Sequence, residues 1–336
     1  MNYCGIDLAS KASAVCILDD QGRIVAEFEV PTDEDGLGSR LGERDPMHCV
    51  VEASPLAEWV AQFLEGVGHT VAVIDPRKAK AVVCTKKKTD RLDARNLARM
   101  AHTKWYTAVH RKGKAARRMR TLLKARKGLV EAATAQGSRI AGLLRAHGIR
   151  VRGARGGQWE LRVREAVWAR EPELEPIVQP LLEVWRQTRE QAAALRTQIE
   201  TLARTHPACQ LLMTIPGVGP VVAMAYVATI DDPHRFEASE QVADYLGLVP
   251  LVYQSGEVEY RGRITKEGDG LLRWLLVEAA TVLLTRVKRS CALQRWGRKL
   301  IARKGLAKAR VAVARKLSVL LHRTWVRGEA FNWARA

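Results

Sequence analysis

The sequence has no CxxC pair and no cysteine with a histidine at zinc-finger spacing, and its six cysteines, at 4, 16, 49, 84, 209 and 291, are scattered. That excludes a zinc-finger or disulfide framework and fits reduced, buried thiols. There is no uninterrupted apolar run of the roughly 18 to 20 residues that a membrane span needs. The opening MNYCGIDLAS has no basic-then-apolar signal pattern, so a cytoplasmic protein with no membrane partner is expected. Internal repeats and low-complexity tracts are missing too. So are acids, in two long blocks. Residues 111–155 hold fourteen Lys/Arg and a single acid, Glu131, and residues 286–327 hold fourteen Lys/Arg and none.

What is present is positive charge and enough apolar residues for packed cores. Over 336 residues, 55 Lys/Arg stand against 36 Asp/Glu, a net charge of +19, and 47% of residues are hydrophobic. The length predicts two or three domains and the composition excludes disorder as the main state. Net charge alone admits nucleic acid, an acidic membrane surface or an acidic protein as partner. The two basic blocks outweigh the whole-chain excess and leave the remainder mildly acidic, as expected of phosphate-tracking surfaces.

Apolar patterning predicts strands at 3–8, 13–19 and 24–30 with a turn at Asp20-Gln21-Gly22, then a helical stretch at 33–42. A strand at 47–52, a helix from Pro55 to about Leu64 and a strand at 69–74 follow. After the lysine-rich loop Lys86-Lys87-Lys88, Thr89 caps a helix running from Asp90 past Met100. Residues 111–150 read as long basic helix. Residues 160–206 keep a heptad with Val178, Trp185, Ala192 and Ile199 at a and Leu181, Thr188, Leu195 and Leu202 at d, which fits a coiled coil or an amphipathic helix in an intramolecular bundle. The expected division is 1–150, an α/β ribonuclease H-like domain with a trailing basic helix; 151–206, a helical or coiled-coil connector; and 207–336, mainly helical.

That element order displays acids around a metal site. Asp7 lies in the first strand, Glu52 ends the fourth, and Asp90 and Asp93 share one face at the start of the next helix. Two-metal phosphodiester chemistry needs carboxylates on rigid elements, because Mg²⁺ takes oxygen ligands. Asp7 interrupts an apolar strand, which is costly unless its charge is compensated. Asp90 also fits as a first-turn acid, and Asp93 as a surface partner of Arg91 or Arg95. Gly5-Ile6-Asp7-Leu8-Ala9-Ser10 additionally matches the phosphate loop of sugar kinases and actin-like ATPases, although the chain after Met100 turns into basic helix instead of a second nucleotide-binding half.

Downstream, Leu211 to Ala223 has the pattern of a helix-hairpin-helix. Gly217 and Gly219 allow a tight turn whose amides can hold a DNA phosphate; a plain helical corner is the alternative. Ser255 reads as a loop serine before Gly256, with Arg261, Arg263, Lys266 and Arg273 close behind to neutralise a phosphorane. Arg117 and Arg118, in the first basic block, are further nucleic-acid candidates. By composition alone any loop serine fits a turn.

The ordered set Gly5-Ile6-Asp7, Val51-Glu52-Ala53, Lys88-Thr89-Asp90-Arg91-Leu92-Asp93-Ala94, Thr214 to Gly219, Gly247-Leu248-Val249-Pro250, Ser255-Gly256 and Gly262 to Gly268 spans nearly the whole chain. It resembles the insertion-sequence transposases that join an N-terminal RuvC-like DEDD domain to a C-terminal domain with a nucleophilic serine. The resemblance implies Asp7, Glu52, Asp90 and Asp93 as Mg²⁺-binding acids and Ser255 as nucleophile; Gln254 stands where the family often has a second serine. It further implies donor and target double-stranded DNA chosen by a bridge RNA, and a homodimer pairing into a tetramer with a composite active site. A water-using junction-resolving nuclease and a non-enzymatic nucleic-acid-binding protein are the alternatives.

Overall fold

The computed structural model describes residues 1–75, 89–153, 157–255 and 258–333 and, at 253–255 and 258–261, the backbone alone. Lys86-Lys87-Lys88, Arg155 and Gly256, together with the side chains of Ser255 and Arg261, lie outside the described residues. The chain forms two compact units, Met1–Lys112 and Gly113–Ala336.

The first unit is built on a five-stranded sheet of order β3-β2-β1-β4-β5. Its strands are β1 (Asn2–Asp7), β2 (Ala12–Leu18), β3 (Ile24–Pro31), β4 (Met47–Glu52) and β5 (Thr70–Ile74), close to the predicted bounds. β1 to β3 form an antiparallel meander, whereas β4 runs parallel to both β1 and β5. The stretch after β3 folds as α1 (Glu34–Leu37), continued by a π-turn at Gly38–Gly42, and α2 (Ala57–Gly66) links β4 to β5. Central strands buried on both faces need apolar residues at every position, which is why β1 and β4 read as runs. Cys4, Ile6, Cys49 and Val51 pack towards Leu37, Leu41, Val60, Ala61 and Leu64. Helix α3 (Asp90–Thr103) covers the other face through Ala94, Leu97, Ala98, Met100 and Ala101.

The second unit begins with the long basic helix α4 (Lys114–Ala146), then α5 (Trp159–Arg170) and α6 (Glu175–Thr205). The heptad's a column is real but faces inward: Val178, Trp185, Ala192 and Ile199 are buried, Val178 and Trp185 in one core with Ala133, Ile140 and Leu144 of α4. The d column is open, with Leu181 38% and Leu202 47% exposed.

The remainder comprises α7 (Pro207–Met213), α8 (Pro220–Ile230), α9 (Gln241–Tyr245), the antiparallel ribbon β6 (Pro250–Ser255) and β7 (Val258–Ile264), α10 (Gly270–Thr285) and α11 (Ala292–Arg327). The ribbon corrects the placement of Ser255, which is the last residue of β6, paired with Val258, and not part of a loop. The signal was two β-branched and aromatic runs, 250–255 and 258–264, only two residues apart in the sequence. No helix among the described residues is long and apolar enough to cross a membrane.

Candidate active site and nucleic-acid interface

Two of the four acids are placed by parallel pairing. The β1–β4 register ends with Ile6 opposite Val51, so the next residues, Asp7 and Glu52, stand side by side at the strands' carboxyl ends. Adjacent strands lie about 4.8 Å apart.

The other two acids are placed by a close crossing. A Cβ on Gly5 would lie 2.1 Å from Ala98 N and 2.2 Å from Ala94 O, so α3 rests backbone to backbone on β1, which only glycine permits. At the far end of α3 the His102 ring meets Tyr3 edge-on at 5.0 Å. The helix therefore runs antiparallel to β1, and its first turn, with Asp90 and Asp93, is directed towards the Asp7 end. Thr89 fixes that turn, its hydroxyl accepting from Leu92 N at 3.2 Å.

A pairing that sequence reasoning missed orients the helix further. Glu27 of β3 accepts from Arg91 Nη2 at 2.6 Å and from Arg95 Nη2 at 2.8 Å, and Arg95 Nε contacts it as well. The Arg95 and Arg91 hydrogen bonds hold this carboxyl down to about 2, although burial opposes them. Arg91 and Arg95, the expected partners of Asp93, thus engage Glu27. The one available signal was two arginines four apart on the helix; Glu27 itself, in an alternating strand, gives none.

The donor set is all carboxylate oxygen, which suits a hard divalent cation, and the fold directs all four acids to one end of the sheet. Among the described residues, no three His, Cys, Asp or Glu side chains converge closely enough to hold an ion. The residues suit a divalent metal in donor chemistry and in backbone placement.

In the second unit the nucleic-acid candidates separate into exposed and engaged residues. Arg263, Lys266 and Arg118 are exposed, and Arg117 is half-buried. Arg273 donates to the carbonyls of Leu246 at 3.0 Å and Glu267 at 2.7 Å, fastening the base of the β6–β7 ribbon. Thr265 N and Lys266 N, bonded to the Val249 and Gly247 carbonyls, complete that fastening. Gly217 packs its turn against α10, where a Cβ would meet Ala279 O at 2.7 Å. Gly219 caps α8 with open space before it.

Comparison with known proteins decides between the enzyme classes that share this topology. Residues 4–149 match the DEDD transposase family of IS110 type, and residues 209–296 match the family described as transposase IS116/IS110/IS902. The transposase for insertion sequence element IS1111A of Coxiella burnetii is 30% identical over 98% of this chain and 90% of its own length. The chain belongs to the IS110/IS116/IS902 transposase family. A probable family 20 transposase of Pseudomonas aeruginosa is 29% identical over 96% of each chain, and the transposase for insertion sequence element IS1328 of Yersinia enterocolitica is 26% identical over 84% of this chain and 86% of its own. An insertion-sequence transposase cuts and transfers DNA, and membership of this family sets the kinase-like alternative aside.

Proposed function

We propose that this transposase exchanges DNA strands through a covalent Ser255–DNA intermediate, with Asp7, Glu52, Asp90 and Asp93 holding Mg²⁺, and that a bridge RNA selects donor and target DNA. The observation that carries the metal assignment is the placement of Asp7 and Glu52 one residue beyond the last β1–β4 pair, at the sheet end towards which the first turn of α3 is directed. A divalent ion bound there supplies charge neutralisation at the scissile phosphate. The protein's own part is to keep the acid-bearing backbone rigid, through the Gly5 crossing and the Glu27–Arg91–Arg95 cluster.

In the serine step a P–Oγ bond forms as one P–O bond of the DNA breaks. The Ser255 proton leaves, and the departing DNA oxygen takes up a proton. Phosphodiester energy is conserved for rejoining. Arg263, next to the Pro250–Ile264 pair at the base of the ribbon, and Lys266, just past it, are exposed at the end away from Ser255 and would hold flanking DNA backbone and not the reacting phosphate, while Arg273 and, by backbone bonds, Val249 and Gly247 keep the ribbon base fixed. The glycine turn before α8 offers amides to a second phosphate on its Gly219 side.

Function divides as acids in 1–150, a connector in 151–206 and the serine in 207–336. A homodimer, pairing into a tetramer, would bring these together. Its support is the exposed column of Ile177, Leu181, Val184 and Leu202 on α6, which the a column leaves free.

The test combines purified protein, Mg²⁺, RNA transcribed from beside the gene and end-labelled element-junction DNA on denaturing gels. Wild type should give a protein-linked DNA band that Ser255→Ala lacks, and Asp7→Asn should lower strand transfer at least a hundredfold, on the order of a lost electrostatic catalyst. Cleavage without an adduct, equal in wild type and Ser255→Ala, would make water the nucleophile, as in a junction resolvase. Intact strand transfer in Asp7→Asn would end the metal assignment.

A further inference from the structure

Helix α11 is not one rod. At Gly305 the backbone takes φ 77° and ψ 162°, outside the helical region and open to glycine alone, so that residues 292–304 and 306–327 form two arms. The arms fold back on each other. A Cβ on Gly297 would meet Val313 Cγ2 at 2.8 Å, and Lys316 Nζ lies 4.2 Å from the centroid of the Trp296 ring. Both contacts span the break, and Gly297 and Val313 are buried. The arms continue about 12 Å past the Gly297–Val313 contact at 1.5 Å per residue. Every residue from 302 to 308 is exposed.

That tip is chemically one-sided. Arg298, Lys299, Arg303, Lys304 and Lys308 are all exposed, and among the described residues none is paired with a carboxylate. No acid occurs between Glu278 and Glu329. Leu306, 42% exposed, is the large apolar side chain at the tip, too little for a membrane-seeking face. Unpaired bases would need an aromatic platform, and the nearby Trp296 ring is already covered by Lys316. Cations on both arms of an exposed tip, in a stretch of chain that carries no acid, suit the paired phosphate rails of a duplex.

We propose that the tip of the α11 hairpin, residues 298–308, is a sequence-independent clamp for the backbone of duplex DNA. The assignment of DNA rests on the transposase function proposed above. The clamp would hold the duplex by phosphate contacts alone, leaving choice of site to other parts of the assembly.

The experiment measures binding of the full chain to a labelled duplex of generic sequence by fluorescence anisotropy, from about 50 to about 200 mM salt. The variant Arg303→Gln/Lys304→Gln/Lys308→Gln should flatten the slope of log affinity against log salt by about 2.7, at about 0.9 per phosphate contact, so that it loses about 40-fold less affinity across the range than wild type. The charge-preserving Arg303→Lys/Lys304→Arg/Lys308→Arg should keep the wild-type slope. If wild type binds steeply and the glutamine variant has the same slope, the clamp is refuted. If the slope flattens with a structured RNA but not with duplex DNA, the DNA assignment is refuted. Failure of wild type to bind DNA in a salt-dependent way would instead count against the transposase function itself.

Discussion

Helices α4 and α11 come from basic blocks with the same number of cations, and the folded protein engages part of one set while leaving the tip of the other unpaired among the described residues. α4 is a strut held on several sides. Leu123 enters the main core of the second unit, and Ala133, Ile140 and Leu144 enter a second core shared with α5 and α6. Some of its cations are engaged by neighbouring groups, although Arg118, Lys124, Arg139 and Arg145 stay exposed. Arg120 bonds Asp269 at 2.7 Å and Thr229 at 3.1 Å, Lys127 pairs with Glu131 at 3.0 Å, and burial together with Arg196 disfavours the charge of Arg126. α11 instead leaves its tip cations in solvent, unpaired among the described residues. Equal charge counts therefore hide unequal availability, and availability is what governs phosphate binding.

Breaking the Arg120–Asp269 pair should give the largest effect on stability. Asp269 caps α10 by accepting from Leu272 N at 2.8 Å; burial pushes its carboxyl up, but that cap and Arg120 hold it below its ordinary value. Arg120→Ala leaves this half-buried acid without its cation and should cost about 2 kcal/mol, seen as a fall of several degrees in Tm. Its effect on the DNA salt slope should stay below the change of about 0.9 expected for one phosphate contact. An unchanged Tm with a flatter slope would put α4 in the same class as the α11 tip.

The first unit repeats the contrast on a smaller scale. Arg91 and Arg95 sit within the acid-bearing turn of α3 yet engage Glu27, 64 and 68 residues away. Glu27→Gln should cost about 1–2 kcal/mol, discounted because Arg91 is mostly exposed. The pH dependence follows from the depressed folded pKa. The pair's contribution is complete above the ordinary carboxylate value of 4.5 and is lost as pH falls through about 2. Urea denaturation at neutral pH and near pH 3 should show wild type and variant converging in acid; a constant difference would mean that the cluster is held by packing.

These cases mark what the sequence makes legible. Strand and helix positions in the first unit follow from local runs, caps and turns, so the elements that carry Asp7, Glu52, Asp90 and Asp93 were readable from the sequence, while the acids' joint role stays with the proposal above. Glu27 was not, because its partners are distant along the chain and an acid in an alternating strand resembles any solvent-facing residue. The a column of α6 was visible, but periodicity cannot say whether the partner is another subunit or the chain's own α4. Nothing in the basic run around Gly305 separates a helix glycine from a break, and only its backbone angles and the contacts across it reveal a hairpin.

The smallest expected effect sharpens the comparison most directly. Glu131 is the one acid of its basic block, and its pair with Lys127 is exposed, with side chains 63% and 42% accessible. Such a pair one helical turn apart contributes only a few tenths of a kcal/mol. Glu131→Gln should therefore change stability by less than about 0.5 kcal/mol while freeing Lys127. If α4 is a strut whose exposed side meets no phosphate, the DNA salt slope stays where it was. A slope steeper by about 0.9 would mean that one more contact has formed. The exposed side of α4 would then carry nucleic acid, and its pairing with Glu131, more than burial of the helix, would be what separates it from the tip of α11.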